Sequence, residues 1–140
     1  MVIVQTENHK EPSFEEVISP TGWGQGIKNA DYVKMNIDIL FHDSILYSNR
    51  NSDGETVNTS KIRVRGNTSA YGDMKSFKIK FANKVDLIRE GERCEDKEWM
   101  LLPSHGNLNT AIGLETNRLL GMDYTPRFQY VILVVNNIYM

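Results

Sequence analysis

The chain has 140 residues, 40% of them apolar and 24% charged, an ordinary globular composition at about the size of one domain, which excludes a disordered or fibrous protein. Its formal charge of −2 creates no net field to draw in nucleic acid or an acidic membrane, so any anion site has to be a local concentration of base. The single cysteine, Cys94, stands in the charged run "EGERCEDKE"; it cannot close an internal disulfide and is expected as a surface thiol.

Taken in chain order, residues 2–5 (VIVQ) read as a short strand closed by the turn-like "TENHKEP". "SFEEVISPTGWGQGIKNAD" predicts a brief helical turn at 13–18 and then a loop, because Pro20, Gly22, Gly24 and Gly26 interrupt any regular pattern. Trp23 is expected to anchor that loop on the core. From Tyr32 to Phe41, Val33, Met35, Ile37 and Ile39 alternate with Lys34, Asn36 and Asp38, the period-2 pattern of a strand with one wet face. A polar stretch with an Asp-Gly turn, "SNRNSDGETVNTS", leads to two basic strands at 61–65 and 76–82. The charged residues 85–98 read as a solvated turn or short helix, and "EWMLLP" at 98–103 as a short buried segment.

Residues 108–120 read as a helix that Gly121 can end in the left-handed conformation. "RFQYVILVV" predicts a strong strand, "NN" a hairpin turn and "IYM" a returning strand. The expected fold is α+β, one domain over 1–140 in which an antiparallel sheet is packed by the 108–120 helix. No apolar run reaches the roughly 18 residues of a membrane span, and the N-terminus does not have the form of a signal peptide.

Chemistry is expected on the two basic strands. Side chains alternate faces along a strand, so Lys61, Arg63 and Arg65 share one side of the first, and Lys78 and Lys80 one side of the second. Paired as a hairpin, they would gather cations whose repulsion a bound anion or nearby carboxylates must offset. The loop between them, "GNTSAYGD", adds backbone freedom at Gly66 and Gly72 and donors at Asn67, Thr68 and Ser69. The alternative is a solvated basic face ending in a polar hairpin. On the helix, Leu108, Ala111, Ile112 and Leu119 form an apolar stripe with Glu115 near its centre. A buried carboxylate there would demand a cation, Lys78 or Lys80, or a raised pKa. Alternatively, Leu114 and Leu120 turn the buried face and leave Glu115 at its rim. His9, His42 and His105 are too scattered for a zinc site. Ser69, Ser76 and Ser104 have no nucleophile elbow around them, and Asp38 and Asp43 read as polar residues at a strand end.

The ordered series "IRVRGNTSAYGDMKSFKIKF", "EWMLLPS" and "LLGMDYTPRFQYVILVVNNIYM" resembles the CotH kinase family of spore-coat and bacterial surface proteins, which have an atypical protein-kinase-like fold. The likeness covers about residues 61–140, and it implies an N-lobe of that fold, ATP with magnesium as cofactor, a protein phosphoacceptor, and cell-surface or spore-coat association if a leader is removed. It places Arg65, Gly66, Asn67, Ser69, Lys75 and Lys78 in the phosphate-side motifs; the strand and helix reading adds Lys80 and Glu115 to the expected cofactor-binding residues. Departures are visible: "SHGNLNTAIG" stands where the family carries an Asp and an Arg-Asn pair, Asn107 occupies the Asp position, and the turn is Asn136-Asn137 in place of Asn-Gly. The family's catalytic and metal-binding aspartates lie beyond that turn. The resemblance thus implies the N-terminal part of a larger kinase domain, cut within a hairpin and without a complete phosphoryl-transfer site. The competing expectation is a non-catalytic surface or coat interaction module. A nucleic-acid binder is not expected, because Phe77 and Phe81 face away from the cations and cannot stack bases beside them.

Overall fold

A computed structural model describes residues 1–18, 25–28, 30–42, 44–66, 70–71, 73–88, 94–103, 108–123 and 125–140, with 16–18 and 25–28 followed as backbone only. Trp23, Asp43, the loop donors Asn67, Thr68 and Ser69, and Gly72, Ser104, His105 and Asn107 lie outside the described residues.

The strands are β1 (Val2–Thr6), β2 (Glu15–Ile18), β3 (Gln25–Lys28), β4 (Val33–Phe41), β5 (Ser44–Ser48), β6 (Ser60–Val64), β7 (Phe77–Val85), β8 (Asp96–Leu101), β9 (Leu133–Val135) and β10 (Ile138–Tyr139). A single-turn 3-10 helix, Glu7–His9, follows β1, and the helix α1 spans Asn109–Leu119. Eight strands form one sheet in the order β10, β9, β1, β4, β6, β7, β8, with β5 also paired to β4; β2 and β3 make a separate hairpin. Where a helical turn is expected at 13–18, residues 15–18 are strand, and 25–28 of the glycine-interrupted stretch pair with them. The sheet is mixed and not wholly antiparallel, because β1 runs parallel to β9.

Alternation decides which face is buried. Val2, Val4 and Thr6 of β1, Val33, Met35, Ile37 and Ile39 of β4, Ile62 and Val64 of β6, and Phe77, Ile79 and Phe81 of β7 all turn inward. Fully burying each large apolar side chain contributes about 2 kcal/mol. The two ends of the chain meet at Asn136. Its backbone N–H donates to the Val4 carbonyl at 2.9 Å, and its Oδ1 accepts from the Thr6 N–H at 2.9 Å. Asn136 and Asn137 have φ of 50° and 69°, the left-handed pair that a tight two-residue hairpin turn requires and that asparagine tolerates.

"RFQYVILVV" yields a strand only at 133–135. Its register runs against Val2–Val4 of β1, preceded by a hydrogen bond from the Val2 N–H to the Ile132 carbonyl at 2.7 Å; 127–131 belong to no strand. Residues 98–103 form an edge strand and its exit, not a buried segment: Trp99 and Leu101 are half-buried, whereas Met100 and Leu102 are exposed. Cys94 is free and half-buried. Helix α1 ends at Gly121, φ 69°, as expected, but it buries none of its residues. Its apolar stripe is outward, with Leu119 72% exposed, so the sheet is not packed by this helix. No described helix is long and apolar enough to cross a membrane.

The join of β4 and β5 rests on Asn49, which is 0% exposed. Its Nδ2 donates to the Met35 carbonyl at 3.0 Å and the Asn58 carbonyl at 2.9 Å, and its Oδ1 accepts from the Ile37 N–H at 2.9 Å. Truncation strands three backbone groups together. Asn49→Ala is expected to lower the unfolding free energy by about 3 kcal/mol, read as a shift of the urea midpoint at unchanged slope.

Candidate anion-binding face

The two basic strands are neighbours. In the antiparallel register of β6 and β7, Lys61 stands opposite Lys80 and Arg63 opposite Lys78, alternating with the buried pairs Ile62–Ile79 and Val64–Phe77. On the other side of β6, Lys34 of β4 stands opposite Lys61. On the outer side of β7, Glu98 of β8 stands opposite Lys80 and Met100 opposite Lys78. One row therefore crosses four strands as Lys34, Lys61, Lys80, Glu98, at about 4.8 Å per strand. A second row, two residues along, carries Arg63 and Lys78.

Glu98 is the counter-ion of this face. Its carboxylate accepts from Lys78 at 2.6 Å and lies 3.4 Å from the Lys80 ammonium. The Lys78 hydrogen bond holds the carboxyl below its ordinary value, against a smaller opposing desolvation, with the charges of Lys78 and Lys80 adding to the lowering. Asp38, further along β4, is bound to Arg50. The Arg63 guanidinium lies over the Tyr32 ring at 5.0 Å. Its Nε is buried and meets no acceptor among the described residues, a donor whose desolvation costs about 1–3 kcal/mol when left unmet.

The remaining expected site residues are dispersed. Arg65 is tied through its backbone N–H to the Ser76 carbonyl at 3.0 Å, and Gly66 takes φ 94°, a conformation that favours glycine as the chain leaves β6. Lys75 sits 6.0 Å over the Phe14 ring, and Phe14 packs against the apolar core. Lys75 thus belongs with the core side, not with Lys78 and Lys80. Ala70 is buried in that same core and Tyr71 meets Phe14 edge-on at 5.5 Å, so this part of the loop is also anchored opposite the cationic face. Glu115 neither enters the core nor reaches a strand lysine. It is an exposed residue paired with Arg118 three positions along its own helix, and that hydrogen bond lowers its pKa where burial would have raised it. It lines an open cleft of about 250 Å³ with Leu114, Arg118, Arg127 and Phe128.

Sequence reasoning had Lys78 and Lys80 on one face but missed Glu98, Lys34 and Tyr32 as their company. The signal for Glu98 was present: in "KEWML", strand alternation sets Glu98 and Met100 on one face and Trp99 and Leu101 on the other.

Among known proteins, no family model, no curated protein and no solved structure matches this chain. The likeness to the CotH family rests on the quoted residues alone.

Because the carboxyl of Glu98 is lowered in the folded chain, its pairing contributes stability above the ordinary value of 4.5, and that contribution is lost as the pH falls through the lowered value. Lys78→Met is expected to bring the Glu98 carboxyl midpoint, followed by NMR titration, up towards 4.5; an unchanged midpoint would place the cause elsewhere.

Proposed function

We propose that this chain is a CotH-like kinase N-lobe that holds the phosphates of ATP on the cationic face of hairpin β6–β7. The observation carrying this reading is the register that brings Arg63 to Lys78 and Lys61 to Lys80, with the Nε of Arg63 still lacking an acceptor among the described residues. Phosphate oxygens suit such a donor set: they accept several charge-assisted hydrogen bonds and offset the repulsion between facing cations. Kinase folds pair a strand lysine with a helix glutamate. Here the carboxylate available to Lys78 is Glu98 on the adjacent strand, which would aim the lysine in the same manner.

The magnesium that accompanies ATP is held largely by phosphate oxygens and water, so the proposal concerns phosphate binding and assigns no transfer step to this chain.

One observation favours a second reading, an interaction module of a cell surface or coat. Leu108, Ile112, Leu119 and Leu120 on and beside α1 are all exposed, which is the kind of apolar surface that marks a partner contact. Calorimetric titration with Mg-ATP separates the two. The kinase-like reading expects millimolar or tighter binding that falls at least about tenfold in Lys78→Ala and survives Lys10→Ala, the lysine beyond the Glu7–His9 turn. No heat at millimolar nucleotide would leave the interaction module.

A further inference from the structure

Lys34 has no part in the ATP reading, yet it stands in register with Lys61 and, through it, with Lys80. We infer that the open face of the sheet is a binding surface for a linear inorganic polyphosphate, laid across the strands along Lys34, Lys61 and Lys80, with Arg63 and Lys78 beside it. This goes beyond ATP binding and does not depend on it. The row crosses the strands at the end of hairpin β6–β7 remote from Gly66, three residue levels below the Val64–Phe77 pair.

Three observations carry the inference. Lys34, Lys61 and Lys80 are exposed, so a chain of phosphates has access to all three at once. On this face Glu98 engages only Lys78 and Lys80 and Asp38 is bound to Arg50, whereas no ion pair of Lys34, Lys61 or Arg63 is found among the described residues. Nε of Arg63 is a buried donor without an acceptor among those residues. Facing like charges at strand spacing repel, and a polyanion with its charges in a line relieves several of these repulsions together and releases its own counterions.

Polyphosphate fits better than single-stranded nucleic acid. Nucleic acid needs flat rings on which to stack its bases, whereas Tyr32 is covered by Arg63, Phe77 and Phe81 are in the core, Tyr47 packs edge-on against Phe81 at 5.1 Å, and the exposed Tyr139 stands on β10, three strands away from Lys34 on β4.

The test is binding of medium-chain inorganic polyphosphate to the intact 140-residue chain at about 100 mM salt, beside single-stranded DNA of equal total charge. The expected result is polyphosphate binding at least about tenfold tighter than DNA, weakened at least about tenfold in Lys34→Gln/Lys61→Gln and weakening steeply with salt. A second variant, Glu98→Gln, removes the opposing carboxylate and should tighten binding severalfold. Absence of binding, equal affinity for DNA, or full affinity in a double variant with an unchanged circular dichroism spectrum would overturn the inference. If the double variant does not fold, Glu98→Gln decides it: unchanged or weaker binding overturns it.

Discussion

Lysine faces lysine across β6 and β7 because isoleucine faces isoleucine one residue away. The register that buries Ile62 against Ile79 and Val64 against Phe77 obliges Lys61 to meet Lys80 and Arg63 to meet Lys78. A slip of one residue would exchange the faces and put the cations in the core. The magnitudes leave no contest: each buried Ile, Val or Phe contributes about 2 kcal/mol, while an exposed like-charge pair costs about 0.5 kcal/mol. Hydrophobic burial sets the geometry, and the electrostatic consequence remains on the open side as cations that face one another.

Glu98 moderates that consequence without cancelling it. Its single carboxylate reaches two ammonium groups, and its position on the edge strand β8 leaves Lys34, Lys61 and Arg63 out of reach. The hairpin loop, by contrast, is anchored on the apolar side through Ala70 and Tyr71. The cations and this part of the loop therefore serve opposite faces of one sheet: the loop helps to close the core, and β4, β6 and β7 present the charge.

Local alternation made the central strands legible. Val33 to Ile39, Ile62 to Val64 and Phe77 to Phe81 each announce both strand and face, and the two asparagines announce the last turn. What depended on distant partners was not legible. β1 and β9 pair in parallel across nearly the whole chain, and nothing local limits "RFQYVILVV" to three paired residues. The β2–β3 hairpin spans glycines that read as a break. Glu115 misled because helical periodicity identifies a stripe but not what covers it; α1 buries none of its residues, so Glu115 turned to Arg118. Glu98 was hidden because a carboxylate becomes a counter-ion only once its strand is known to lie beside Lys78 and Lys80.

If repulsion is retained on the sheet face, removing one member of a facing pair should stabilise the protein when screening is weak. Thermal unfolding of Lys61→Gln beside the parent, at about 10 mM and about 500 mM salt, measures this directly, since the screening length falls from about 30 Å to below 8 Å over that range. The variant should melt higher than the parent at low salt, and the difference should vanish at high salt. A variant that melts lower at both salts would mean that Lys61 is held by favourable partners, and the uncompensated cationic face would not exist.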